Sequence, residues 1–120
     1  MTQNIDPSDL LRMGMRVEAL RQRVIANNIA NLGTPGYQRK EVRFQELLAR
    51  ALETGDNEAV VNVQPEVITP KVSGSRQGVN NVNLEQEVGD LLKNSSRYKI
   101  YAALSKKLGS HKRLAIDDKF

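Results

Sequence analysis

Few residues in this chain have the type and spacing that catalysis or metal binding requires. His111 is the only histidine, and no serine or carboxylate stands at a spacing that would join it in a catalytic arrangement. Asp117 and Asp118 are suited to a divalent cation, but no third or fourth oxygen ligand lies nearby in sequence. The absence of cysteine excludes thiol nucleophiles, thiolate zinc sites and disulfide bonds. We therefore expect no catalytic residue, no metal site and no cofactor.

The charges of the chain are unevenly distributed. Its net charge of +4 divides into +2 for residues 1–53, −1 for residues 54–82 and +3 for residues 83–120. A basic helical surface attracts phosphate, so a small nucleic-acid-binding module is one alternative function. However, acidic residues are interspersed among the basic ones and no recognised DNA-binding pattern is present. A mixed, solvated helix face explains this pattern more simply.

Amide side chains are concentrated at one point, where Asn27, Asn28 and Asn31 fall within five positions. Asparagine is a mediocre helix former, and burying its amide without partners costs about 1–3 kcal/mol. Their use on a helix therefore suggests hydrogen bonds that fix a register or a partner. The alternative is that these residues face solvent and help to end the helix.

The helix that carries the asparagines is predicted over residues 7–32. Asp6 is suited to the N-cap and Pro7 to the first helical position, while Gly33 is suited to a left-handed residue after the helix and Pro35-Gly36 to a type II turn. Steps of three and four residues define an apolar seam, which comprises Leu10, Met13, Val17, Leu20 and Val24.

Helical periodicity is lost and then regained along the rest of the chain. A short helix is predicted over about 44–53, an irregular connector over 54–82, a second long helix over about 83–109, and a charged tail over 110–120. The connector contains prolines and a glycine cluster, namely Pro65, Pro70, Gly74 and Gly78, and we expect it to be either a loop with a short hairpin or a mobile segment. The seam predicted for the second long helix comprises Leu84, Val88, Leu91, Tyr98 and Leu108.

These elements predict a single all-α domain whose terminal helices pair as an antiparallel coiled-coil hairpin. A long apolar seam is unfavourable in water, so we expect the two seams to pack on each other. Apolar residues on the outer flanks remain for adjacent subunits, and the candidates are Leu11, Ile25, Leu92 and Leu104.

The segment ANNIANLGTPGYQRKEVRF, from Ala26 to Phe44, resembles the signature of bacterial flagellar rod, hook and related axial proteins. That pattern reads Ala-Asn-Asn-hydrophobic-Ala-Asn-x-x-Thr-Pro-Gly-Tyr. The positions that match it are Asn27, Asn28, Ile29, Ala30, Asn31, Thr34, Pro35, Gly36 and Tyr37.

A second segment, GVNNVNLEQEVGDLLKNSSRY, resembles a stretch of the proximal-rod members of that family. The matching positions are Asn80, Asn81, Val82, Leu84, Glu87, Asn94 and Tyr98, whereas Val88 replaces the usual methionine and Gly89 weakens the expected helix. A chain of 120 residues leaves no room for the large β domains of hook and distal-rod members. The chain is therefore identified as a proximal-rod member, with the FlgC type as the alternative.

The resemblance implies a structural subunit that polymerises helically through its terminal helices into the torque-transmitting rod of the periplasm. It also implies export through the flagellar type III apparatus without cleavage, which suits an N-terminus that lacks the layout of a cleavable signal peptide. The implied partners are other copies of the chain, FlgC-type rod proteins and FliE, the adaptor between the rod and the membrane ring. No transmembrane segment and no nucleic-acid partner are expected.

Overall fold

The computed structural model describes residues 5–71 and 78–117. The two long helices are α1 (Pro7–Ala30) and α4 (Leu84–Asp117). The elements between them are β1 (Glu41–Arg43), α2 (Gln45–Glu53), α3 (Asn57–Val61) and β2 (Glu66–Ile68).

α1 begins as the sequence predicts. Asp6 is the N-cap, its carboxylate accepts a hydrogen bond from the backbone N–H of Ser8 at 2.9 Å, and Pro7 is the first helical residue. The hydrogen bond from Ser8 is the main cause that holds the pKa of Asp6 below its ordinary value. The contribution of this cap to stability is therefore present above the pKa of the unfolded chain, and it is lost as the pH falls through the lowered folded pKa.

α1 ends at Ala30, two residues earlier than predicted, and the backbone N–H of Asn31 still donates to the carbonyl of Asn27 at 3.1 Å. Gly33 does not take the left-handed conformation expected of it. The chain turns instead at Gly36, which has a φ of 75° and lies in a turn closed by the bond from the N–H of Tyr37 to the carbonyl of Thr34. A positive φ at the third position is the geometry of a type II turn.

The terminal helices pack against each other in antiparallel orientation. Gly14 of α1 lies against Tyr101, whereas Asn28, further along α1, bonds to Glu87 at the start of α4. The predicted pairing of the terminal helices is confirmed. The description all-α is only approximate, because β1 and β2 form a two-stranded antiparallel sheet.

The central part of the apolar seam of α1, at Met13 and Val17, is covered by the middle of the chain and not by α4. Met13 and Val17 form a buried cluster with Phe44, and the partly buried residues that pack on it are Val42, Leu48 and Val63. The contacts with α4 run through Gly14 and Glu18, one position further along the helix and hence about 100° around it.

The face of α1 that meets α4 therefore differs from the predicted one, and some of the residues predicted for the interface between the two helices lie elsewhere. Leu84, Val88 and Tyr98 are 46%, 43% and 41% exposed, so they do not form a closed seam with α1. Leu91 and Leu108 are half-buried. Met13 and Val17 are covered by Phe44 and by residues of β1 and α2, so the neighbouring face of α1, with Gly14 and Glu18, meets α4.

The connector is more ordered than predicted. It contains α3, whose Val60 is buried, and β2, which pairs with β1 in a register that places Val42 opposite Val67. The two strands are thus separated in the chain by α2 and α3 and do not form a hairpin within residues 54–82. Gly74 of the predicted glycine cluster lies outside the described residues.

α4 continues eight residues beyond the predicted end at Gly109 and includes His111 of the predicted tail. The Lys112 ammonium donates to the Ser8 hydroxyl at 2.8 Å and lies 3.6 Å from the Asp6 carboxylate. Leu108 lies in a groove beside α1. These contacts offset the cost of a glycine inside a helix, which is about 1 kcal/mol relative to alanine. Asp118 lies outside the described residues.

The close approach of the helices at Gly14 yields a test of the pairing. A Cβ atom added there would lie 2.9 Å from the ring of Tyr101, whereas one added at Gly89 would meet nothing within 4 Å. We expect Gly14→Val to lower the free energy of unfolding by about 2 kcal/mol through overpacking. Gly89→Val is the matched control and should change it by less than about 0.5 kcal/mol.

The measurement is urea unfolding followed by circular dichroism. In a Tyr101→Ala background, Gly14→Val should cost less than in the native background, since the clashing ring is gone. Equal losses for Gly14→Val and Gly89→Val would contradict the packing.

Candidate functional site

A polar cluster joins the end of α1, the turn after it and the start of α4, with Asn28 at its centre. The Asn28 side chain is fully buried. Its amide nitrogen donates to the carbonyl of Lys40 at 2.9 Å and to Glu87 at 3.1 Å. Its amide oxygen accepts from the Tyr37 hydroxyl at 2.9 Å and from the N–H of Lys40 at 3.0 Å. All four hydrogen-bonding positions of this amide are therefore filled within one chain.

The other two asparagines of the motif are more exposed but also bonded. Asn27 donates to the Tyr37 hydroxyl at 3.1 Å, so this hydroxyl accepts from Asn27 while it donates to Asn28. Asn31 donates to the carbonyl of Asn27 at 2.7 Å and accepts from the Thr34 hydroxyl at 3.0 Å. The three amides thus tie the last turn of α1 to the loop that follows it.

Asn80 connects the segment before α4 to the carboxyl end of α1. Its amide nitrogen lies 2.8 Å, 3.0 Å and 2.7 Å from the carbonyl oxygens of Asn31, Leu32 and Thr34. Its oxygen accepts from the N–H of Val82 at 2.9 Å. The carbonyls of Asn31 and Thr34 also accept the backbone N–H groups of Thr34 and Tyr37, so Asn80 adds a side-chain donor to this turn and joins it to the segment before α4.

Arg39 and Glu87 form a buried ion pair beside Asn28. They are 3% and 0% exposed, and the Arg39 Nε donates to Glu87 at 2.7 Å. Arg39 also bonds to Glu41, lies 3.5 Å from Asp90, and its backbone N–H donates to Asn81 at 2.7 Å. Burial alone would lower the pKa of Arg39, but the hydrogen bonds and charges of Glu41 and Glu87 outweigh it and raise this pKa.

A second polar layer lies nearer the middle of the helix pair, around Glu18. The Glu18 side chain is 2% exposed and accepts from Arg21 at 2.5 Å and from Arg97 at 2.8 Å. Asn94, also 2% exposed, donates to the carbonyl of Glu18 at 2.6 Å. Buried ionic groups are weak evidence for stability, but each constrains which residues can face each other.

Sequence reasoning did not single out Glu18 or Arg39, and it used Glu87 and Asn94 only as positions of family resemblance. The available signal was that Glu87 and Asn94 stand seven residues apart, at one heptad position that continues to Tyr101. A polar residue repeated at one heptad position indicates a specific contact.

The four candidates for contacts between subunits fall into different environments. Leu11 and Leu104 line one apolar groove of a single chain, together with Pro7, Leu10 and Leu108. A contact between Leu11 and Leu104 would therefore not distinguish neighbours from a single molecule. Ile25 is 7% exposed, which leaves little of it for a neighbour, whereas Leu92 is 65% exposed.

The described part of the chain contains neither a cluster of metal-binding side chains nor a helix that could span a membrane. Across residues 5–71 and 78–117, no three acidic, histidine or cysteine side chains converge on a point that would hold a metal ion. Over the same residues no helix combines the length and apolarity needed to cross a bilayer.

The comparisons with known proteins concern the same region. A family model described as "Flagella basal body rod protein" matches residues 12–38, which include most of α1 and the Gly36 turn. FlgB of Borrelia hermsii is 30% identical over an alignment that covers 78% of this chain and 82% of that protein. FlgB of Bacillus subtilis is 31% identical over an alignment that covers 66% of this chain and 68% of that protein. This chain belongs to the FlgB family.

Membership of the FlgB family confirms the resemblance drawn from the asparagine motif and favours the FlgB type over the FlgC alternative. The FlgB family consists of structural proteins of the flagellar basal body rod. FlgG of Caulobacter vibrioides, another basal-body rod protein, is 39% identical over a shorter stretch of 46 residues, or 38% of this chain and 18% of that protein.

Proposed function

We propose that this chain is a structural subunit of the proximal rod of the flagellar basal body, and that it assembles helically through α1 and α4. The observation that supports assembly is the apolar surface that α4 leaves exposed. Among the α4 side chains that the structure describes, those of residues 84–114, seven large apolar ones are at least 41% exposed, namely Leu84, Val88, Leu92, Tyr98, Ile100, Leu104 and Leu114. Leu84, Val88 and Leu92 stand four residues apart and so share one face of α4, and a contiguous exposed apolar face of this kind marks an interaction site.

A rod requires contacts that do not close into a ring. Such contacts join two different patches, one on each subunit, and repeat along a helix. α4 offers one patch in its exposed apolar residues from Leu84 to Ile100, and the end of the α1–α4 pair offers another in the groove formed by Leu11, Leu104 and Leu108. The buried layers around Asn28 and Glu18 then hold both patches in a fixed relation, because they fix the register of α1 against α4.

The partners follow from this role. Copies of this chain form one set of neighbours, and FlgC-type rod proteins and FliE form the contacts at the ends of the assembly. The flagellar type III apparatus exports the chain without cleavage to the periplasmic rod. The role is structural, with no catalytic site and no cofactor.

The test is substitution of the most exposed apolar residue of α4. Leu92→Glu should abolish swimming and incorporation into basal bodies in a source strain that lacks its own copy of the gene. Lys99→Glu, at another exposed position of the same helix, is the control, and it should leave swimming and incorporation into basal bodies intact. Circular dichroism of both purified variants should match the native protein, since Leu92 is 65% exposed. Normal rods with Leu92→Glu would contradict assembly through α4.

A further inference from the structure

A cleft between α1, β1 and α4 is lined by an unusual number of cationic side chains. We call it the basic cleft, and it has a volume of about 320 Å³. Its cations are Arg21, Arg39, Lys40, Lys93 and Arg97. The only carboxylates among its lining residues are Glu41 and Asp90, and its apolar lining includes Val24 and Val42. The cleft thus combines a basic rim with apolar walls.

Two of these cations have no ion-pair partner within the described residues. Arg39 is paired with Glu87, and both Arg21 and Arg97 are paired with Glu18. Lys40 and Lys93 form no ion pair anywhere in residues 5–71 and 78–117. Lys93 is exposed and Lys40 is half-buried. The cleft therefore presents two free positive charges to an incoming group.

The same chain carries a surface of opposite charge at the junction of α2 and α3. We call residues 52–58 the acidic corner. Its carboxylates, Glu53, Asp56 and Glu58, are all exposed and form no ion pair in the part of the chain that the structure describes. Leu52 beside them is 50% exposed. The segment carries three negative charges and no positive one in a chain whose net charge is +4.

The acidic corner cannot enter the basic cleft of its own chain. Gln45, the first residue of α2, lines the cleft, and Glu53 is the last residue of that helix. A rise of about 1.5 Å per residue places Glu53 about 12 Å from Gln45 along a rigid helix. The carboxylates of the corner therefore do not neutralise the free charges of the cleft in the same chain.

We infer that the basic cleft of one copy receives the acidic corner of a second copy. Glu53 and Glu58 would approach Lys93 and Lys40, and Leu52 would contact the apolar wall at Val42. A volume of 320 Å³ equals about ten water molecules of about 30 Å³ each, which suits a few side chains and not a whole helix. This inference rests on the proposed function, because cleft and corner are different patches and their contact repeats without closing.

Cysteine cross-linking tests the contact directly, because the chain has no native cysteine. Chains with Lys93→Cys are mixed with chains with Glu53→Cys under mild oxidation. We expect a disulfide-linked pair of the two variants at a yield at least about tenfold above that of matched controls. The controls replace Lys93→Cys by Lys99→Cys and Glu53→Cys by Arg50→Cys, which are exposed positions outside the cleft and the corner. Raising the salt concentration to 0.5 M should lower the yield, since salt screens exposed charges.

Charge reversal supplies the second measurement. Lys40→Glu with Lys93→Glu, and Glu53→Lys with Glu58→Lys, should each lower self-association in sedimentation by at least about tenfold. A chain with all four changes should recover it, because both patches are reversed together. Control-level cross-linking, or unchanged sedimentation of both variants, would overturn the inference.

The two proposals can fail separately. If charge reversal has no effect while Leu92→Glu still prevents incorporation, the contact is wrong and the rod function stands. The cross-link could instead form while Leu92→Glu and the charge-reversed chains all build normal rods. In that case copies associate through the basic cleft and the acidic corner only outside the rod. Both the proposed assembly surface of α4 and the contact within the rod would then be wrong.

Discussion

Replacing Asn28 by aspartate is expected to lower the free energy of unfolding by about 3–5 kcal/mol. The change preserves the shape of the side chain but converts its nitrogen into an oxygen. That nitrogen donates at 3.1 Å to Glu87 and at 2.9 Å to the carbonyl of Lys40, so both bonds become repulsive contacts. The site is fully buried, so water cannot compensate.

The measurement is chemical unfolding at neutral pH, with Asn27→Asp as the control. Asn27 is exposed, and within the described residues its side-chain nitrogen donates to the Tyr37 hydroxyl, which still donates to Asn28 when that bond is lost. An aspartate at this position therefore loses one exposed hydrogen bond, and water can solvate its carboxylate. We expect the control to lose less than about 1 kcal/mol. Similar losses for the two variants would show that the network around Asn28 contributes nothing specific.

Replacing Glu87 by alanine should have the second large effect, a loss of about 3 kcal/mol. Glu87 is 0% exposed, and its removal leaves Arg39 buried with Glu41 and the more distant Asp90 as remaining partners. Breaking a buried pair is costly because the surviving charge stays out of water. Arg39 cannot avoid this cost by losing its proton, since the pKa of an arginine is far above neutral.

Two further variants separate the charge from the shape of Glu87. Glu85→Ala removes an exposed carboxylate in the same first turn of α4 and should change stability by less than about 0.5 kcal/mol. Glu87→Gln keeps an acceptor for Arg39 and should lose less than Glu87→Ala. If Glu87→Ala unfolded at the same urea concentration as the native chain, the ion pair would not stabilise the fold.

Local signals in the sequence were sufficient for the start of α1 and for the turn at Gly36. A cap such as Asp6 followed by Pro7 acts on neighbouring backbone groups, so its effect does not depend on the rest of the fold. The proline and glycine of the turn likewise restrict their own φ angles. The end of α4 was missed because its contacts with Ser8 and Asp6 cross more than a hundred residues of sequence.

The asparagine motif marked the right region but did not reveal its chemistry. The sequence placed Asn27, Asn28 and Asn31 together and left open whether they were bonded or solvated. Their bonds depend on Tyr37, which the turn returns toward α1, and on Glu87, which is 59 residues away. No spacing rule connects partners that meet only when α4 returns along α1.

By itself the sequence determined two long terminal helices, the turn between Thr34 and Tyr37, and membership of a family of rod proteins. Only the tertiary structure decided which stripe of α1 faces α4, and hence that Glu18 is buried against Asn94 while Met13 meets Phe44. The physical reason is that helical periodicity states which side chains share a face but not what covers that face. Coverage depends on which distant segments compete to bury the same apolar surface.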